Sequence, residues 1–477
     1  MKTHRFISIL LLAVFLSAFI AGGERPLHLE KTQDIGRQTI GDVIQLTNTK
    51  NDEHVDAVAY SDKSKHYLVV FTDSDSNNGD VKGRFVDAAT GKLTGDVFNI
   101  AWTEAGEGNS DVAYDPYNDV FLVVYESDTC GGEPWECKGD IKGRLVEEPN
   151  LNGSSLAESP LGPNEFTIAS QSTLGRNPAD PRVAYNQDDH QYLVVFRSGF
   201  GLYSDLQELH GQMLSSHKEL PVRLGPDAGF DIYSTVDYYY YPDVAWASGS
   251  GNFLVVYVQT DKPNLEDATY SDIFAHWLYD TYQDGATQEI GSYGVAPRYP
   301  LSKFCGRPAV AYDPTTDSYT VAFSYDKKGE DWEDVTVYGQ RLTAEFAFPK
   351  DPGIGEPFPV ETDLSMYFAY FRPAISYTGP GDTMHVTYRA FENNPGIEND
   401  KTSIYLLALN GSQVGTPTHV YRAKKGEEIF GLAIARSMSG YSIVAWDEWP
   451  NPSNNGIYAQ RVGTFDTTYL PSIFKDK

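Results

Sequence analysis

The sequence predicts an all-β fold, a seven-bladed β-propeller built from four-stranded antiparallel blades. The first observation is a repeated Val-Ala-Tyr triplet, best formed in the segment 111–128, DVAYDPYNDVFLVVYESD. The second is an alternating, β-branched and aromatic run such as FLVVY, which follows each triplet after a tight turn. The third is a spacing of about 60 residues between copies, which suits one blade per copy. We therefore expect one closed domain rather than the roughly three domains that length alone suggests.

The triplets mark the inner strands of the predicted blades. They begin at Val58, Val112, Val183, Val244, Val310, Ile375 and, in a weaker copy, Ile434. A third strand follows each hairpin, and its small residue is expected to permit close approach of the neighbouring sheet. These small residues are Gly83, Gly143, Gly211, Ala275, Gly339 and Ala459. A short fourth strand follows most third strands, as at 97–100, 165–168 and 357–360.

The two ends of the chain predict how the ring closes. The last copy ends soon after Val462 without a clear fourth strand, whereas a surplus strand at 42–47 precedes the first triplet. We therefore predict that this N-terminal strand completes the last blade, which leaves no open sheet edge and favours a monomer. An open β-solenoid needs shorter repeats and explains the displaced strand less well.

The first 23 residues have the pattern of a signal peptide. A basic start is followed by an apolar run at 6–21 and a small-residue end at 21–23. Cleavage near Gly23 would leave residues 24–477 as one propeller domain, secreted to the extracellular space or the periplasm. No later segment approaches the ~20 apolar residues that a membrane helix needs.

The chain is strongly acidic. Its 37 basic and 66 acidic residues give a formal charge of −29. Long-range repulsion argues against nucleic acid or anionic lipid as a general partner, although solubility alone would also explain the charge.

Cysteine is scarce. Cys130 and Cys137 lie in one loop, and in an oxidising compartment we expect them to form a local disulfide. Cys305 is left over, and a buried inert thiol is a better expectation for it than a nucleophile.

One side of the predicted channel mouth is rich in arginine and tyrosine. The residues three positions before the triplets should ring the mouth: Val55, Asn109, Asp180, Tyr241, Arg307, Arg372 and Gly431. Loops beside the basic and aromatic members add Tyr238, Tyr239, Tyr240, Arg298, Tyr299, Lys303, Tyr367 and Tyr370. Arginine matches a carboxylate or sulfate and tyrosine matches a sugar face, so a site for an anionic polysaccharide is predicted. Alternatively, the arginines pair with acidic neighbours and the tyrosines fill gaps between blades.

Three further features are candidates for the same face. His54, beside the ring position of blade one, is a candidate acid or base, and Trp135 could be a sugar platform or pack on its own loop. Oxygen-bearing side chains alternate at Asp73, Asp75 and Asn77 and continue to Asp80, which resembles the front half of a calcium loop. The glycine spacing departs from the EF-hand pattern, and an ordinary polar turn is the alternative.

The export signal, the VAYDP, YLVVY and DIKGRL blade pattern and the Tyr/Arg-rich mouth together resemble secreted seven-bladed polysaccharide lyases, the ulvan-lyase-like propellers. The resemblance implies β-elimination at a uronic acid, with no organic cofactor. Arg307 and Arg372 would then neutralise the carboxylate, and Tyr241 or His54 would act as base and acid, with Tyr370 as a further candidate.

Two other classes stay open. A non-catalytic secreted or cell-surface propeller could bind glycan or protein through the same face. A glycoside hydrolase would need paired carboxylates, for which Asp111 and Asp180 are available. No Asp-box, Gly-x-Ser-x-Gly or His-Glu-x-x-His pattern occurs, so sialidase, serine hydrolase and zinc protease lack support.

Overall fold

The fold was analysed in a computed structural model of the chain. It describes residues 37–74, 79–129, 138–147, 165–199, 207–234, 237–262, 271–279, 307–326, 335–344, 358–360, 367–369, 373–379, 384–392, 401–424, 427–437, 440–450 and 456–464. The predicted signal peptide therefore lies outside the described residues and stays a prediction.

Seven antiparallel sheets form in chain order, one for each predicted blade. The described part begins with β1 (Arg37–Gln45). Blade one comprises β2 (Glu53–Tyr60), β3 (His66–Asp73), β4 (Asp80–Asp87) and β5 (Leu93–Ala101). Blade two comprises β6 (Gly106–Asp115), β7 (Val120–Thr129), β8 (Lys138–Val146) and β9 (Phe166–Ser170). The short helix α1 (Gln171–Leu174) then leads to blade three, which comprises β10 (Asn177–Asn186), β11 (Gln191–Gly199), β12 (Gln207–Ser215), β13 (Val222–Leu224) and β14 (Phe230–Ser234).

The remaining blades repeat this order. Blade four comprises β15 (Tyr238–Ala247), β16 (Asn252–Thr260) and β17 (Ser271–Tyr279) in the described part. Blade five comprises β18 (Ala309–Asp313), β19 (Ser318–Asp326), β20 (Val335–Thr343) and β21 (Phe358–Pro359). Blade six comprises β22 (Tyr367–Ala369), β23 (Ala374–Tyr377), β24 (Met384–Glu392), β25 (Lys401–Asn410), β26 (Gln413–Val414) and β27 (Thr418–Arg422). Blade seven comprises β28 (Glu427–Arg436), β29 (Ser442–Pro450) and β30 (Gly456–Thr464).

The predicted closure is confirmed. Strand β1 pairs antiparallel with β30, from Arg37 opposite Thr464 to Gln45 opposite Tyr458, and gives blade seven its fourth strand. The strand begins and ends earlier than the predicted 42–47. The first and last parts of the described chain are thus held in one sheet, and the ring has no open edge at this junction.

Hydrophobic side chains fill the spaces between neighbouring blades. Between blades one and two, for example, Leu68 and Val70 of β3 pack in one cluster with Phe121 and Val123 of β7. These four side chains are all buried, because the second strand of each blade has neighbours on both faces. Successive residues of its apolar run face opposite sides and are all buried, so the sequence of this run is continuously apolar.

The glycines of the third strands have a different role from the one predicted. A Cβ on Gly143 would lie 2.7 Å from the ring of Phe166, which is its cross-strand partner in the same blade. Gly83 has the same relation to Phe98, Gly211 to Phe230 and Gly339 to Phe358. The glycine makes room for an aromatic ring of its own fourth strand rather than for the neighbouring sheet, so that expectation was wrong.

No helix in the described part is long and apolar enough to cross a membrane. The helix α1 spans 4 residues, capped by Ser170 at its start and by Gly175 with φ 71° at its end.

Candidate functional site

The inner strands surround a central cavity of about 180 Å³. All seven blades contribute to its wall, through segments of β2, β6, β10, β15, β23 and β28 and the residues that lead into β18. The polar and charged side chains of this wall are Asp56, Asp111, Arg182, Tyr241, Asp243 and Arg307. Of the predicted ring residues that the structure describes, Val55, Tyr241 and Arg307 line this cavity, whereas Asn109, Asp180 and Gly431 do not.

A β-bulge at the ring position decides which side chains reach the cavity. In blade three the register slips between Ala179 and Arg182, and the ring residue Asp180 has φ 53°. The same slip and a positive φ occur at Asn109 in blade two and at Tyr241 in blade four. The bulge brings the residue directly before each triplet to the cavity wall.

The sequence analysis did not identify the residue directly before each triplet as part of the cavity wall, although the sequence carries a signal for it. The residue directly before the triplet is alanine in blades one, five, six and seven, but it is Asp111, Arg182 and Asp243 in blades two to four. At this position the cavity wall is charged in blades two to four and carries alanine in the other blades, while Asp56 of blade one and Arg307 of blade five add charge from neighbouring positions. A charged residue where the other repeats carry alanine was the available clue.

Arg307 lies over the ring of Tyr241, with its guanidinium carbon 4.0 Å from the ring centroid. This distance is that of a close cation–π contact. Burial lowers the pKa of Arg307, and its attraction to Tyr241 and Asp180 offsets part of that effect. The pair joins the inner strand of blade four to the start of blade five and holds a cation at the cavity wall.

Arg182 lies in the same wall, on the charged side. Its Nη1 donates a hydrogen bond of 2.6 Å to the carbonyl of Pro181. Burial alone would lower the pKa of Arg182, but the carboxylates of Asp111, Asp180 and Asp243 raise it instead. The guanidinium is thus a fixed positive charge inside the channel.

A second charged cluster lies behind the ring position of blade three. The Asp180 carboxylate accepts a 2.5 Å bond from Nε of Arg197, and Glu126 Oε1 accepts one of 2.5 Å from the backbone N–H of Asp180. Burial would raise the pKa of Asp180, but Arg197 and Arg307 lower it to about 2. Burial and the neighbouring Asp180 raise the pKa of Glu126 to about 8. Asp180 is therefore paired and ionised.

His54 lies at the junction of blades one and seven rather than in the cavity wall. Its Nδ1 is 3.5 Å from Oδ2 of Asp447, and its Nε2 is 3.5 Å from Oδ1 of Asp52. Oδ1 of Asp447 also accepts the backbone N–H groups of Gly431 at 2.7 Å and Val55 at 3.3 Å. Contact with Asp447 raises the pKa of His54, although burial opposes the shift.

The predicted calcium loop is only partly described. The Asp73 carboxylate is fully buried, accepts bonds of 2.8 and 3.0 Å from Asn51 Nδ2 and pairs with Lys82. Asp80 is buried opposite it in the register. Asp75 and Asn77 lie outside the described residues, so a bound calcium stays a prediction.

The remaining predicted site residues are either buried in a strand or lie partly or wholly outside the described residues. Tyr238 lies in β15 and is 7% exposed, and the backbone of Tyr367 belongs to β22 while its side chain falls outside the described part. The candidates that lie wholly outside the described residues are Cys130, Trp135, Cys137, Arg298, Tyr299, Lys303, Cys305, Tyr370 and Arg372.

Fold and site together define a seven-bladed β-propeller with a charged cavity in its central channel. No protein-family model matches the sequence, and a search of curated proteins finds no match.

Solved structures are similar at low identity. Polysaccharide lyase Uly1 is 10% identical over 87% of this chain and 90% of its own, with a TM-score of 0.49. A protein of unknown function from Dyadobacter fermentans is 8% identical over 90% of this chain and 100% of its own, with a TM-score of 0.49. A NanB sialidase from Streptococcus pneumoniae is 9% identical over 88% of this chain and 70% of its own, with a TM-score of 0.42. The resemblance to a propeller polysaccharide lyase is one of architecture, and none of these likenesses assigns an activity.

Proposed function

We propose that the chain is a secreted propeller that cleaves an anionic, uronate-containing polysaccharide of the ulvan-like kind by β-elimination at the channel mouth. The observation that carries this proposal is the Arg307 guanidinium stacked on Tyr241 at the cavity wall. A half-buried cation favours the anionic form of a uronate carboxylate, and a tyrosine hydroxyl beside it can exchange a proton with the substrate.

The reaction needs three groups. A cation neutralises the carboxylate, which makes the neighbouring C5 proton more acidic, and a base removes that proton. The electron pair of the broken C5–H bond forms the C4–C5 double bond as the bond from C4 to the leaving oxygen breaks, and an acid protonates that oxygen. Arg307 supplies the cation, with Arg182 in the same wall and Arg372 as a further predicted member. Tyr241 is the candidate for proton transfer.

His54 is the weaker candidate for proton transfer. Its two ring nitrogens face Asp447 and Asp52, and the cavity wall does not include it. Both contacts favour the imidazolium, which is an acid and not a base. We therefore place Tyr241 ahead of His54.

A non-catalytic glycan-binding propeller is the second candidate. The hydrogen bonds of the cavity acids favour this candidate, because both acids already hold the backbone in place. Asp111 accepts the Val183 N–H at 2.8 Å, and Asp243 accepts the Val310 N–H at 2.7 Å. Anchored acids leave the two arginines as ligand groups, which suffices for binding. A hydrolase pair of Asp111 and Asp180 has less support, because Asp180 is paired with Arg197.

Activity on a panel of uronate-containing polysaccharides tests the proposal. The purified chain is incubated with each, and absorbance of the unsaturated uronate is followed. We expect a rise with at least one polymer, a loss of at least about 100-fold in rate for Arg307→Gln, and no loss for Arg223→Gln on the outer strand β13. Binding without any absorbance change would favour the binding protein, and neither binding nor cleavage would reject both candidates.

A further inference from the structure

The side chain of Arg182 is half-buried and has no direct ionic partner among the described residues. Its described hydrogen bond goes to the carbonyl of Pro181, and no ion pair within 4.0 Å joins it to any carboxylate of the described chain. The other half-buried arginines of the same blade that the structure describes are paired, as Arg176 is with Glu208 and Arg197 with Asp180. Arg182 therefore presents donors to the cavity that a ligand can use.

Three carboxyl groups share the cavity wall with Arg182, and each is fixed in place. Oδ2 of Asp56 accepts bonds of 2.7 Å from the hydroxyls of Thr72 and Ser110. Asp111 and Asp243 accept backbone N–H groups of the next blade, from Val183 at 2.8 Å and Val310 at 2.7 Å. The acids are held by the fold and cannot turn away when a ligand arrives.

Besides Arg182 and the three acids, the described charged groups at or beside the cavity are Arg307 and the pair of Asp180 and Arg197. Arg307 lies in the wall and is stacked on Tyr241, while Asp180 is compensated by Arg197. The cavity thus has three carboxyl groups facing two guanidiniums. An anion that entered with all three acids ionised would be repelled, because three carboxylates outnumber the two guanidiniums and like charges at short range repel. A proton on one acid removes that repulsion.

We propose that an oxyanion, a carboxylate or a sulfate, binds Arg182 inside the cavity and that one of the three surrounding carboxyl groups takes up a proton as it binds. The proton comes from solvent, and no covalent bond to the anion forms or breaks. This inference rests on the proposed function in taking the ligand to be anionic, but it requires no catalysis.

The pKa values of the three cavity acids are raised, so that one of them can take up a proton near neutral pH. Burial, with a further contribution from Asp111, raises the pKa of Asp243 to about 7. Burial also raises the pKa of Asp56 and of Asp111, although hydrogen bonds and Arg182 lower them in part. A bound anion raises these pKa values further, since a like charge disfavours ionisation. Asp243 is the first candidate for the proton.

The sign of the pH dependence follows. Well below pH 7 Asp243 already carries its proton, so binding takes up none and affinity is constant. Above pH 7 a proton must be acquired, and affinity falls by about tenfold for each pH unit if one proton is linked to one anion.

Isothermal titration calorimetry tests the proposal with sodium glucuronate and, separately, sodium sulfate as probes. Each is titrated into the purified chain at pH 7.5 and constant ionic strength in Tris and in triethanolamine, cationic buffers with different ionisation enthalpies. We expect the binding heat to differ between the buffers, by the amount that proton uptake requires. Titrations at pH 7, 8 and 9 should then show the fall in affinity.

Variants locate the anion and the proton. Arg182→Gln should abolish binding of both probes, whereas Arg223→Gln should leave it unchanged. Asp243→Asn should remove most of the pH dependence, with folding checked by thermal melting. If that variant does not fold, the binding heats of the natural chain in the two buffers still show whether a proton is taken up.

The outcomes separate clearly. Binding of either probe with buffer-dependent heat supports the proposal, and the better probe tells carboxylate from sulfate. A slope that survives in Asp243→Asn places the proton on Asp56 or Asp111. Failure of both probes to bind, equal heats in the two buffers, or unchanged binding in Arg182→Gln overturns it. A lyase assay can succeed or fail independently of each result.

Discussion

The guanidinium of Arg307 lies 4.0 Å from the ring centroid of Tyr241, and Tyr241 itself has a φ of 53°. A positive φ is unfavourable for a tyrosine and costs about 1–3 kcal/mol. The bulge in β15 nonetheless holds the residue so that its ring supports a cation at the cavity wall. Backbone strain of this kind often occurs at functional sites, which makes Tyr241 the first residue to test by substitution.

Replacing Tyr241 by phenylalanine should separate structure from chemistry. The ring that supports Arg307 is kept, so thermal unfolding should shift little, while loss of the hydroxyl should lower kcat by about 100-fold or more if it transfers a proton. Steady-state kinetics with the polysaccharide identified in the panel provides the measurement. Tyr117→Phe, at a ring that is 64% exposed on a hairpin turn, is the matched control and should keep full activity.

The glycine and phenylalanine pairs of the third and fourth strands predict a stability effect. Gly143→Ala should lower the free energy of unfolding by about 1–3 kcal/mol, because the new Cβ would lie 2.7 Å from the ring of Phe166. The double variant with Phe166→Leu should recover part of the loss, since the crowding ring is gone. Denaturant unfolding of the four chains measures the coupling, and strictly additive losses would contradict the steric explanation.

The bulges predict which side chains the ring positions tolerate. Asn109 has φ 48°, a conformation that asparagine tolerates and β-branched residues avoid. Asn109→Val should therefore lower the free energy of unfolding by about 1–3 kcal/mol, whereas Asn109→Gly should be neutral or slightly stabilising. Equal melting temperatures for the two variants would show that the left-handed backbone imposes no cost.

The junction of blades one and seven predicts a pH-dependent contribution to stability. The folded-state pKa of His54 is raised above 6.5, chiefly through its contact with Asp447. The contact therefore stabilises fully below pH 6.5 and is lost as pH rises through the folded-state pKa. Because the His54 side chain is 41% exposed, the contribution should not exceed about 1 kcal/mol.

Thermal unfolding of His54→Gln and the natural chain at pH 5.5 and pH 9 checks this. The variant should be less stable at pH 5.5 and equal at pH 9, and added salt should reduce the difference. A difference that is larger at pH 9 would have the wrong sign for a charged histidine.

Much of the fold could be predicted because the repeat carries local information. The triplets and the apolar runs after them determine the seven sheets, and the surplus strand before Val58 determines the closure. The role of Gly143 was misjudged because its partner Phe166 lies across the blade and not in the neighbouring sheet. Pattern shows that a small residue is needed, but it does not show which atoms occupy the space.

The site was predicted less fully, and for a physical reason. Counting three positions back from each triplet reaches Tyr241 and Arg307, but it passes over Arg182 and Asp243 because the bulge exposes the residue next to the triplet as well. The contact between His54 and Asp447 joins the two ends of the ring and has no local sequence signal. Only the assembled ring brings these groups together.

The most direct test of the proposed reaction is mass spectrometry of the products from a uronate polysaccharide cut by the natural chain. Elimination adds no water, so the new non-reducing end should be an unsaturated uronate that is lighter by one water than the product of hydrolysis, and Arg307→Gln should form it at least about 100-fold more slowly. Products that all carry the added water, or the same unsaturated product at an unchanged rate from Arg307→Gln, would contradict elimination at the Arg307 and Tyr241 site.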